Sequence, residues 1–191
     1  MTEDEKMHKG LWYDANNNPE LLKQRDDAKD LCQDYNLLRQ SDHESREKLM
    51  KHLLGSLGKN SIILSPFECD YGYNIQMGAD CFVNSTCYFM DCATITLGHH
   101  VYMGPSCGLY TAVHPLPYQL RNSGIEKALP ITIGNNVWMG GNVVVLPGVT
   151  IGDGAVIGAG SVVTKDIPSH VVAAGNPCHV MKEIDQDVHE S

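Results

Sequence analysis

From Met77 to Pro168 an apolar residue returns at every sixth position, with one two-residue shift and one long interruption, and the residue four places after it is small or β-branched. Set from Ile133, the chain divides into IGNNVW, MGGNVV, VLPGVT, IGDGAV, IGAGSV and VTKDIP, with Val137, Val143, Val149, Ala155, Ser161 and Ile167 at the fifth positions. Upstream, MGADCF, VNSTCY and FMDCAT keep the same phase; after the shift at Ile95-Thr96 come LGHHVY, MGPSCG and LYTAVH. A period of six is neither the 3.6 of a helix nor the 2 of a strand, and it predicts a β-solenoid whose short strands stack coil on coil. Each first-position residue then rests on its copy in the next coil, and small residues or glycine let the chain turn at the corners.

Before residue 60 the pattern is helical instead. Asn18-Pro19 places a proline at a first helical position, and Leu21, Ala28, Leu31, Tyr35 and Leu38 follow at helical spacing. Ser41 with Glu44 reads as a capping box that opens a second helix through Leu49 and Leu53, which Gly55 ends. Such a leader can cap the open end of a solenoid and hide its sheet edge. The expected organisation is an α-helical leader over 1–58, a solenoid over 59–184 and a tail over 185–191. The stretch TAVHPLPYQLRNSGIEKALP interrupts the repeat, predicting an excursion loop over 115–130 immediately after His114.

Composition narrows the function. At 191 residues and 42% hydrophobic content, the chain can bury a real core as one main domain with an appendage. A net charge of −9 without a Lys/Arg-rich block argues against nucleic acid as the principal partner. No apolar run approaches the ~18 residues of a membrane span, and the start MTEDEKMHKG is charged where a signal peptide is apolar. A cytoplasmic protein with no membrane partner is the expectation. The seven cysteines, odd in number and without a C-x-x-C pair, read as reduced core residues.

The stretches GLWYD, CDYGYNIQMG, TAVHPL, PITIGNNVWMGGNVVVLPGVTIGDGAVIGAGSVVTKDIP and VVAAGNPCHVMKEI resemble the hexapeptide-repeat acyltransferases, on the maltose and galactoside O-acetyltransferase branch. The resemblance spans nearly the whole chain. It implies a mainly β fold, a left-handed parallel β-helix with an N-terminal α-helical cap, assembled as a homotrimer and using acetyl-CoA as co-substrate with no metal. It also implies that the excursion projects toward a neighbouring subunit and that the histidine at its root, His114, is the catalytic base. The chemistry suits that role: an alcohol is a poor nucleophile at neutral pH, and an imidazole can take its proton as it attacks a thioester.

By position in the same motifs, Asp14, Asp70, Asn84 and Asp91 are candidates for the sugar acceptor, with Asp91 also a candidate to orient the base. Asn84 can serve the pantetheine arm instead. For the cofactor the resemblance points to Trp138, Gly141, Ala159, Thr164 and Lys165, and at the phosphate end to His179 and Lys182. Gly141 stands where the galactoside enzyme is expected to carry serine, which removes a side-chain contact. His179 and Lys182 stand where arginines are common, and a lysine offers a point charge rather than a fork. The remaining histidines His8, His43, His52, His170 and His189 read as surface or packing residues.

The expected activity is transfer of acetyl from acetyl-CoA to a sugar hydroxyl, the 6-OH of maltose, glucose or a galactoside. Three alternatives remain: a non-sugar acceptor such as an amino acid, an antibiotic or an aminosugar; a zinc hydratase on three histidines; and a non-catalytic scaffold. Against the hydratase, the adjacent His99 and His100 face opposite sides if they lie on a strand. Against the scaffold, both the histidine and the excursion are intact.

Overall fold

The computed structural model describes residues 1–185, so that His189 and the tail expected over 185–191, Asp185 apart, lie outside the described residues. From Ser56 onward the chain winds as a parallel β-helix with three sheets for its faces. One face holds Phe67–Cys69, Cys87–Met90, Gly108–Tyr110, Val144–Val145 and Val162–Val163. The second holds Ser56–Leu57, Ile75–Met77, Ile95–Leu97, Ile131–Ile133 and Thr150–Ile151. The third runs from Ile62–Ile63 through Phe82–Val83, Tyr102–Met103, Trp138–Met139 and Val156–Ile157 to Val171–Ala174, and closes with His179–Glu183 paired antiparallel to Val171–Ala174.

The hexad phase explains this winding. Met77 stands beside Leu97, Leu97 beside Ile133 and Ile133 beside Ile151, so each first-position residue packs on its copy one coil away. From Ile133 to Ile167 the first and fifth positions are all buried, and all but Ser161 belong to one continuous apolar core with the helical end. Burying a side chain of this size contributes ~1.5–3 kcal/mol. At the corners, most of the fourth hexad positions take the left-handed conformation, among them Asp80, Thr86, His100, Asn136 and Gly160. Glycine at the second position, as at Gly134 and Gly140, answers a different need. A Cβ on Gly140 would lie 2.6 Å from the Ala159 backbone nitrogen on the next coil.

This geometry corrects the placing of His99 and His100 on a strand. They occupy the corner after Ile95–Leu97, where Nδ1 of His99 accepts the Ala79 N–H at 3.0 Å and His100 has φ +55. Third and fourth hexad positions make the turn, not the strand.

Three helices precede the solenoid: α1 (Glu3–His8), α2 (Pro19–Leu37) and α3 (His43–Leu53). The Asn18 side chain accepts the Leu21 N–H and Pro19 occupies the first turn, which starts α2. α3 differs from expectation: its N-cap is Asp42, whose carboxylate accepts the Ser45 N–H at 3.1 Å, rather than Ser41. α1 carries a complete capping box between Thr2 and Glu5. α2 packs on the first coil, where the Asn36 amide accepts the Phe67 N–H at 2.9 Å and donates to the Phe67 carbonyl at 3.0 Å. Arg46 of α3 is buried over the Tyr35 ring and donates to Ser65 Oγ and the Ile63 carbonyl.

Candidate active site

The excursion leaves the solenoid after Gly108–Tyr110, carries a short helix α4 (Tyr118–Arg121) and returns as Ile125–Ala128. The returning strand pairs antiparallel with Ala112–Val113 on one side and with Tyr13–Asp14 of the leader on the other. Val113 stands opposite Lys127, so the next position along sets His114 against Glu126, and Glu126 is itself the partner of Tyr13. Directly opposed residues in antiparallel strands project from the same face. Tyr13, Glu126 and His114 therefore form a row across three strands.

The side chains meet along that row. Nε2 of His114 lies 3.8 Å from Oε2 of Glu126, and the Tyr13 hydroxyl donates to Oε1 of Glu126. His114 is about half exposed, whereas Glu126 and Tyr13 are buried. Burial, with Cys92 and Glu126 nearby, pushes the Tyr13 phenol well above its ordinary range, so it remains a donor. Arg25 of α2 ties the leader segment down through the Ala15 carbonyl at 2.5 Å. Beside His114 opens a cleft of about 540 Å³, walled by Trp12, Val113, Leu116, Pro117, Leu120 and Ile125 with Lys127 on its border. Lys127 sits 5.1 Å over the Trp12 ring. A second cavity of about 410 Å³ lies at the helical end, between α3 and the first coil.

The acceptor candidates fall in different surroundings. Asp14 follows Tyr13 and its Oδ1 closes the turn at Asn16 and Asn17, accepting the Asn17 N–H at 3.0 Å. Asp70 accepts the Tyr88 hydroxyl at 2.5 Å and pairs with Lys29 at 3.4 Å, while the Cys92 thiol lies 3.6 Å from its other oxygen. The Tyr88 hydroxyl and the carboxylates raise the ammonium pKa of Lys29 in spite of its burial, so it stays charged. Asn84 is half-buried and accepts the Ser85 N–H at 2.8 Å. Asp91 has no exposed surface: its Oδ1 accepts the N–H groups of Asp70 and Tyr71, at 2.9 and 2.8 Å. The carboxylate that reaches His114 is thus Glu126, and Asp91 instead secures the backbone at Asp70.

The cofactor candidates divide between two corners. Gly141 and Ala159 lie together at the corner after Trp138–Met139 and Val156–Ile157, where Gly160 N–H donates to the Gly141 carbonyl at 2.9 Å. Trp138 is exposed on the adjoining face, in line with Tyr102 and Val156. Thr164 and Lys165 follow Val162–Val163, so they sit exposed at the next corner, the one from which the excursion departs. His179 and Lys182 lie exposed on the last antiparallel strand, opposite Ala174 and Val172. Among the described residues, no three His, Cys, Asp or Glu side chains converge in a group able to hold a metal ion.

Glu126 and Tyr13 are the site residues that sequence reading missed. The signal lies in strand pairing, which sets His114 against a residue twelve positions on and another from the leader.

These features define a β-helical enzyme of the hexapeptide-repeat class, and known proteins agree. Residues 6–58 match the maltose acetyltransferase hexapeptide capping motif, and residues 130–165 match the bacterial transferase hexapeptide of six repeats. A maltose O-acetyltransferase from Clostridium difficile is 49% identical, covering 97% of this chain and 99% of its own, with a TM-score of 0.95. A galactoside acetyltransferase in complex with coenzyme A is 41% identical over 97% of this chain and 92% of its own, with a TM-score of 0.92. A hexapeptide-repeat acetyltransferase of Vibrio cholerae, complexed with acetyl coenzyme A, is 37% identical over 97% of this chain and 100% of its own, with a TM-score of 0.89. The chain belongs to the hexapeptide-repeat acyltransferases, on the maltose and galactoside acetyltransferase branch, and is an acetyltransferase of that family.

Proposed function

We propose that this acetyltransferase transfers acetyl from acetyl-CoA to a sugar hydroxyl, the 6-OH of a glucose- or galactose-type acceptor, with His114 as general base. The observation that carries the reading is the half-exposed His114 at the root of the excursion, beside an open cleft and a buried carboxylate. The imidazole takes the hydroxyl proton while the oxygen attacks the thioester carbonyl, and returns it to the departing thiolate. No covalent enzyme intermediate is required. Asp14, Asp70 and Asn84 supply hydrogen bonds for a polyhydroxylated acceptor, and Asp91 supports Asp70 from behind. Trp138, Gly141, Ala159, Thr164 and Lys165 bind the pantetheine arm, and His179 and Lys182 meet the phosphates of the coenzyme.

The proposed assembly is a homotrimer. His114 and the Gly141–Ala159 pair lie at different corners of one chain, so a site using both joins two copies.

Thiol release from acetyl-CoA, followed against a panel of monosaccharides, disaccharides and amines, tests the acceptor. Turnover with sugars is expected; a response to amines alone overturns the assignment. His114→Ala should lower turnover by ~10²–10⁴-fold while both KM values stay within a few-fold. Retention of most turnover would show that another group is the base.

A further inference from the structure

We propose that Glu126 is the positioning residue of the base and that Tyr13 holds Glu126 in place, so the N-terminal leader completes the catalytic centre rather than only capping the solenoid. This rests on the reading of His114 as base. Pairing places the three side chains in one row: Tyr13 on the leader strand, Glu126 on the returning strand, His114 at the end of the departing strand.

The chemistry along the row runs in one direction. A buried carboxylate accepts hydrogen bonds and donates none. Oε1 of Glu126 accepts the Tyr13 hydroxyl, and Oε2 faces Nε2 of His114 at 3.8 Å. Tyr13 cannot reverse its part, because burial keeps its phenol protonated. A neutral imidazole carries one N–H, and the partner of one ring nitrogen decides which nitrogen holds it. The carboxylate charge favours the proton on Nε2, and a small turn of the half-exposed ring brings the 3.8 Å separation to hydrogen-bond length. Nδ1 is then left with the lone pair that takes the acceptor proton, and the imidazolium that forms stands beside a negative charge. Glu126 neither gains nor loses a proton: one passes from the acceptor hydroxyl to Nδ1, and from Nδ1 to the departing thiolate. Among the described residues Glu126 is the acid paired with His114, whereas Asp70 pairs with Tyr88 and Lys29 and Oδ1 of Asp91 accepts backbone N–H groups.

Glu126→Gln separates charge and tautomer from shape. Its carbonyl can still accept from Tyr13, while its amide turns a donor toward Nε2 and moves the ring proton to Nδ1. ¹⁵N-histidine NMR of the unliganded full chain, with His114 assigned by its loss in His114→Ala, should show the Nε2–H tautomer in the wild type and Nδ1–H in Glu126→Gln. With acetyl-CoA and whichever sugar of the panel turns over fastest, kcat should fall about 10- to 100-fold in Glu126→Gln. Both KM values should stay within a few-fold. Tyr13→Phe should lower kcat in the same direction by a smaller factor, and Glu126→Gln should add nothing to His114→Ala. An unchanged tautomer with unchanged kcat in Glu126→Gln overturns the positioning role. Turnover that survives in His114→Ala overturns the base itself, so the two failures are told apart.

Discussion

Asp91 is a carboxylate with no exposed surface, and one of its oxygens has no hydrogen-bond partner among the described residues. Burial raises its pKa from 3.8 to about 6, opposed by the N–H groups of Tyr71 and Asp70. A folded-state pKa above the unfolded value means that the folded chain holds the proton more tightly. The resulting stability is fully present below the unfolded value and is lost as pH rises through about 6. A gap of roughly two pH units corresponds to about 3 kcal/mol. Asp91→Asn keeps the acceptor for both N–H groups but removes the titration. The destabilisation it causes should therefore be larger near pH 4 than near pH 7.5, by up to about 3 kcal/mol, in urea unfolding. A difference between variant and wild type that stays constant over this range would exclude Asp91 as the titrating group.

Between elements, the weak point of a solenoid is its open end, and here two helices meet it with polar side chains. The Asn36 amide replaces a neighbouring strand for Phe67, satisfying both its N–H and its carbonyl. Asn36→Leu keeps the side-chain size and strands both groups, and should cost ~1–3 kcal/mol in urea unfolding. It lies away from the His114 row, so KM and kcat of the folded variant should not change. A variant as stable as the wild type would show that water replaces the amide at no cost. What the sequence revealed about such elements follows their physics. Stacking every six residues is a local rule that repeats, so the coils and their inward positions were legible from Ile, Val and Gly alone. The small helix α1 was legible too, since Thr2 and Glu5 carry the capping-box signature. At α3 two adjacent capping residues competed, and the carboxylate of Asp42 took the place given to Ser41. Glu126 could not be found this way. Its meaning comes from pairing across a loop with His114 and with a strand more than a hundred residues earlier, and no periodicity encodes that register.

At the scale of the whole molecule, the proposed activity makes a demand that one chain cannot meet. The excursion and His114 leave the corner that follows Gly108–Tyr110, while Gly141 and Ala159 occupy the corner at the other end of that face. The strand segment between corners spans about six residues, or roughly 20 Å at ~3.3 Å per residue, so a thioester held at the Gly141–Ala159 corner lies out of reach of His114 on the same chain. In a closed ring of three copies the excursion of each subunit can reach the groove of the next. Sedimentation should then show a single species of three times 21.0 kDa. A sharper test mixes two inactive variants, His114→Ala and Gly141→Trp, the second filling the groove beside Pro105. If base and groove come from different subunits, random exchange in the trimer regenerates one intact site in about four, so roughly a quarter of wild-type activity should return after co-refolding. If both belong to one chain, every site carries one defect and nothing returns. Absence of recovery in verified mixed trimers would place base and groove on the same subunit and remove the reason for assembly offered here.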